Sequence, residues 1–110
     1  MDDPSAALER ARAEAARLVG DLEHELAAIA ESTAESPDDE HDAEGSTVGF
    51  ERARVQGLLE RARRSAADIE AAIQRAESGR YGLCVSCGRP IAAERLEVLP
   101  AAARCVDCLG

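Results

Sequence analysis

Residues 84–108 read CVSCGRPIAAERLEVLPAAARCVDC, two Cys-x-x-Cys pairs separated by seventeen residues, and their reading decides the fold of the C-terminal end. A Cys-x-x-Cys turn lets two sulfurs face one point. Two such turns can complete a tetrahedron of thiolates around Zn²⁺ with Zn–S of about 2.3 Å. The ligand set is then Cys84, Cys87, Cys105 and Cys108. Four protein ligands leave no open position for water, so the ion would supply folding free energy, on the order of 10 kcal/mol or more, rather than Lewis-acid catalysis. A disulfide pair, a Cys-x-x-Cys redox site and a rubredoxin-like iron site are the other chemistries that four cysteines allow. Arg80, Arg89, Arg95 and Arg104, with amides of the Gly88 turn, are candidates to offset the formal −2 of a zinc tetrathiolate.

Upstream of the cysteines the chain is helical in pattern. Asp3-Pro4 is a start signal, because Asp caps free amides and Pro tolerates the first helical position. Apolar residues then recur at Leu8, Ala11, Ala15, Leu18, Leu22, Leu26 and Ile29, in steps of three or four that keep one seam on one side. Between Glu31 and Thr47 the periodicity stops and the chain reads ESTAESPDDEHDAEGST, with seven acids, no Arg, and Pro37 and Gly45 as breakers. It resumes at Val48 and continues through Val55, Leu58, Leu59, Ala62, Ala66, Ile69, Ile73 and Ala76, stopping at Ser78-Gly79. Two helices of roughly 30 residues, about 45 Å each, can run antiparallel with an acidic loop at the turn.

The fold expected is therefore mainly α. An antiparallel coiled-coil helical hairpin occupies 1–78, with helices at about 4–33 and 48–78 and an acidic tip loop at 34–47. A small four-cysteine zinc-finger module follows at 79–110. Of the 110 residues 23 are Ala, so the seam buries little area per residue and permits close helix approach, in a monomeric hairpin or a four-helix dimer. Phe50 is expected to anchor the hairpin near its tip, and Tyr81 to pack between the hairpin and the finger.

Composition limits the function. Asp plus Glu outnumber Lys plus Arg by 22 to 13, a net charge of −9, which repels phosphate backbones and disfavours sequence-specific DNA binding. Phe50 and Tyr81 are the only aromatic residues, too few for a base-stacking platform. No catalytic triad, phosphate loop or second metal cluster stands out, and His24 and His41 lie far in sequence from the cysteines, so catalysis is not expected. Met1 is followed by Asp2 and Asp3 with no basic leader and no long apolar run, which points to a cytoplasmic protein.

The segment from Gly79, GRYGLCVSCGRPIAAERLEVLPAAARCVDC, resembles the zinc-finger signature of the DksA/TraR family, in which YGxCxxCGxxI precedes RL, then P, then CxxC. Tyr81, Gly82, Cys84, Cys87, Gly88, Ile91, Arg95, Leu96, Pro100, Cys105 and Cys108 fall at its fixed positions. The resemblance implies a coiled-coil hairpin ahead of the finger, a structural zinc, and binding to RNA polymerase with the hairpin inserted through the secondary channel. It further implies tip carboxylates as partner contacts, here Asp39 and Asp42. Glu44 stands where the family's regulatory members carry Ala, and only Leu109 and Gly110 follow the last cysteine, where family members continue in a helix. Some members share guanosine tetraphosphate with polymerase through basic residues of the second helix. Arg61, Arg63 and Arg64 form a comparable cluster, which solvated helix surface with Glu60, Asp68 and Glu70 as neighbours explains equally simply. The competing class of function is a zinc-stapled adaptor or dimerisation module; a thiol redox switch is a third.

Overall fold

The computed structural model describes residues 4–35 and 42–109, with side chains at 33–46 outside the description. Two long helices, α1 at Ser5–Glu35 and α2 at Asp42–Glu77, form a helical hairpin, and a short helix, α3 at Ala93–Val98, lies within the C-terminal finger. A 3₁₀ turn at Val106–Cys108 comes next. Among the described residues the only β pairing is an isolated antiparallel bridge, Leu83 with Pro90, and no helix is long and apolar enough to cross a membrane.

Packing divides the chain into one unit of Met1–Glu14 with Ser65–Gly110, and another of Ala15–Arg64. In the latter, Leu22 of α1 meets Val55, Leu59 and Ala62 of α2, with Val19, Leu26, Ile29 and Leu58 packed around them. Polar pairs bridge the same two helices: Arg54 donates to Glu25 at 3.4 Å and Arg63 to Glu23 at 2.9 Å. In the other unit Leu8, Ile69 and Ala72 are buried. There Arg12 grips Glu70 with two donors, Nη2 reaching Oε1 at 2.7 Å.

Most of the expected seam is inward, but three positions differ. Leu18 is 50% exposed, and Val19 packs in its place. Steps of three and four from Ala15 both satisfy helical periodicity, so the pattern alone does not choose between them. Ala72 is fully buried, although an alanine carries little weight in a hydropathy pattern. Phe50 is 77% exposed and anchors nothing among the described residues.

Helix α2 begins at Asp42, six residues ahead of the point where apolar periodicity resumes. Periodicity reports burial, whereas helix formation needs only tolerable propensities, and Asp and Glu favour a first turn. Asp39 and His41 lie outside the described residues; Asp42 is placed only as the first backbone residue of α2.

Gly79 ends α2 by a Schellman arrangement. Its φ is +76°, its amide donates to Ala76 O at 3.2 Å, and the Arg80 amide reaches back to Arg75 O at 2.7 Å. The left-handed backbone required at that position explains the glycine.

Candidate metal centre

Each cysteine pair sits on its own backbone turn. In the first, the Cys84 amide donates to Arg89 O at 2.8 Å, Gly88 N to Cys84 O at 2.8 Å, and Ile91 N to Gly82 O at 2.7 Å. Gly88, at φ +78°, closes the turn after Cys87 in the left-handed backbone that glycine adopts most readily. In the second, the Cys108 amide donates to Cys105 O at 3.1 Å across the 3₁₀ turn. Val85 N donates to Ala103 O at 2.8 Å and joins the two turns.

The four sulfurs of Cys84, Cys87, Cys105 and Cys108 lie within 4.8 Å of one another. Cys87 Sγ and Cys105 Sγ stand 3.8 Å apart, the edge of a tetrahedron whose centre is about 2.3 Å from each sulfur. The donor set thus fits one zinc ion. Cys84, Ile91 and Cys105 are buried together, with Leu96 and Cys108 packed against them. Tyr81 is half-buried and its hydroxyl donates to Pro100 O at 2.7 Å, holding the loop after α3. Burial raises its phenol above the ordinary value.

The surroundings favour thiolate at Cys84 and Cys87. Ser86 N donates to Cys84 Sγ at 3.4 Å, and Arg89 Nε to Cys87 Sγ at 3.4 Å. Backbone hydrogen bonding, from Cys105 foremost, brings the Cys84 thiol down to about 5. The Arg89 guanidinium lowers Cys87. Hydrogen bonding to Cys84, then to Cys105 and Cys87, drives Cys108 up to about 12, so Cys108 keeps its proton until a cation draws it off.

Of the four arginines expected around the sulfurs, Arg89 reaches one, and it also faces Asp107 at 3.8 Å. Arg80 donates instead to Ser78 Oγ at 3.1 Å and Arg95 to Arg104 O at 3.1 Å. The Gly88 amide bonds a carbonyl, whereas the Ser86 amide, two residues after Cys84, is among the backbone donors to that sulfur. Arg61, Arg63 and Arg64 are exposed on α2, and Arg63 finds its acid across the hairpin, on Glu23, rather than on its own helix. His24 is exposed on α1.

Comparison with known proteins agrees with this geometry. Residues 79–110 match the family described as prokaryotic dksA/traR C4-type zinc finger. The fold is similar to the structure of transcription factor DksA2 from Pseudomonas aeruginosa, at 24% identity and TM-score 0.57, covering 93% of this chain and 79% of that one. No curated protein sequence matches the chain.

Proposed function

We propose that the protein is an RNA polymerase-binding transcriptional regulator of the bacterial cytoplasm, from the premise that residues 79–110 match the dksA/traR C4-type zinc finger and the fold is similar to that of a DksA-type transcription factor. The observation that carries the reading is this pairing of finger and hairpin in one chain. Four thiolates, Cys84, Cys87, Cys105 and Cys108, hold one zinc ion with no vacant ligand position, and the ion's contribution is to fold the finger.

In this reading the division of labour falls at Gly79, with the hairpin of 1–78 as the probe and the finger as its rigid foot. The hairpin enters the polymerase secondary channel, and Asp39 and Asp42 present carboxylates to basic or metal-bearing groups there. The protein acts by occupying a site rather than by catalysing a reaction. Guanosine tetraphosphate, if shared with polymerase, would draw on Arg61, Arg63 and Arg64, exposed on α2, with Arg63 exchanging its surface pair to Glu23 for the ligand.

The test is fluorescence anisotropy of the zinc-loaded protein, labelled on α2 near Gly49 and titrated with RNA polymerase from its own source. Saturable binding that a secondary-channel ligand displaces is the expected result. Asp39→Ala with Asp42→Ala should then remove the effect on transcription and leave zinc content unchanged. Absence of binding at micromolar polymerase overturns the reading and leaves an adaptor.

A further inference from the structure

The unit that carries the finger contains a groove of about 570 Å³ that the metal centre does not use. Val85, Leu99 and Leu109 open onto it, exposed by 56%, 48% and 54%, and they are three of the eight large apolar side chains exposed among the described residues. The half-buried Ala101, Ala102 and Ala103 form a floor of small side chains that a partner backbone can approach closely. The volume is that of pockets which enclose several groups of a ligand.

The wall is basic in a chain whose net charge is −9. Arg75, Arg95 and Arg104 line the groove against one acid, Asp68. Arg12, Arg54, Arg63 and Arg89 each face a carboxylate within 4 Å, whereas none of these three does among the described residues. Arg75 and Arg95 are instead steered by carbonyls, donating to Ala101 O at 3.5 Å and Arg104 O at 3.1 Å, which leaves their charge uncompensated beside the apolar floor.

We propose that this groove docks an acidic segment of a protein partner, anchored by aliphatic side chains on the Val85, Leu99 and Leu109 surface and flanked by carboxylates that meet Arg75, Arg95 and Arg104. An apolar centre with a charged rim is the anatomy of a protein-binding patch. Nucleic acid fits poorly, because neither aromatic residue lines the groove and the whole-molecule field repels phosphate chains. A second copy of this chain, whose residues 31–47 carry seven acids and no Arg, is the competing occupant, and concentration-dependent self-association of the zinc-loaded protein that Arg104→Glu abolishes would overturn the proposal in its favour. The inference stands apart from the polymerase reading and needs no polymerase to test.

A displayed library of random 16-residue peptides is panned on the full-length, zinc-loaded protein at low salt, with counter-selection on Arg104→Glu. Enriched peptides should be rich in Asp and Glu with aliphatic residues spaced between them. A synthetic peptide of that sequence should bind in anisotropy, at least tenfold more weakly to Arg104→Glu and to Leu99→Ser, and more weakly as salt rises. Zinc content and far-ultraviolet circular dichroism verify each variant, and Val85→Ser replaces Leu99→Ser should the latter lose zinc. No enrichment, enrichment of basic peptides, binding indifferent to the apolar substitution, or displacement by micromolar pyrophosphate each overturns the proposal; the last would make the groove a small-anion site.

Discussion

The amide of Val85 donates to the carbonyl of Ala103 across 2.8 Å, a direct backbone bond between the two cysteine turns. One such bond contributes about 1 kcal/mol net, an order of magnitude less than a structural zinc ion supplies. Chelation at pH 7 should therefore release one zinc per chain and open the finger, seen as new protease cleavage between Cys84 and Cys108. Circular dichroism at 222 nm should fall by a minor fraction, because α1 and α2 draw their burial from each other. Cys84→Ser should behave as the chelated protein does.

Glu70 lies below its ordinary pKa because Arg12 hydrogen-bonds and attracts its carboxylate. A depressed folded-state pKa adds stability that is present above the unfolded value and disappears as pH falls through the folded one. Glu70→Gln should thus be less stable than the parent at pH 7, with the gap closing as pH falls below the ordinary carboxylate value and through the depressed one, in paired urea titrations at matched zinc content. Both partners are exposed, so the difference is small and 1 M NaCl should shrink it.

Ala72 has no exposed surface, while Ala67, five residues earlier on the same helix, is exposed. Ala72→Leu should destabilise by about 1–3 kcal/mol through overpacking. Ala67→Leu should change stability by less than about 0.5 kcal/mol. Denaturant midpoints at constant zinc distinguish the two.

Removing the hydroxyl of Tyr81 leaves Pro100 O without its 2.7 Å donor. Tyr81→Phe should cost about 0.5–1.5 kcal/mol, with zinc still bound. Hydrogen exchange should quicken at Ala102, whose amide donates to Leu99 O at 3.0 Å in the same loop.

The parts legible in the sequence are those where one spacing has one physical meaning. Two Cys-x-x-Cys turns bring four sulfurs together whatever surrounds them, and Gly79 can be read as a helix stop because only a left-handed residue closes that turn. The choice of Val19 over Leu18 is not legible, since both lie within the angular width of one helix face. Ala72 is hidden because a small apolar residue carries almost no hydropathy signal, and close helix contact is what selects it. In the sequence Arg63 has acids nearby on its own helix, yet Glu23 on α1 holds it, a choice made by tertiary placement alone. The basic wall of the groove has no linear signature either, because Arg75, Arg95 and Arg104 converge from three separate stretches of chain.

The Schellman turn at Gly79 also fixes the phase of the finger against the last turns of α2. Each residue inserted between Ile69 and Gly79 would rotate the downstream chain by about 100° and advance it about 1.5 Å along the axis. Seven inserted residues would bring the rotation back to within about 20°. Evolutionary lengthening of this stretch is thus quantised. Single insertions or deletions would rotate the finger about α2 relative to the buried Ile69 and Ala72, and a whole heptad is the smallest change that restores the rotational phase, at an advance of about 10 Å along the axis.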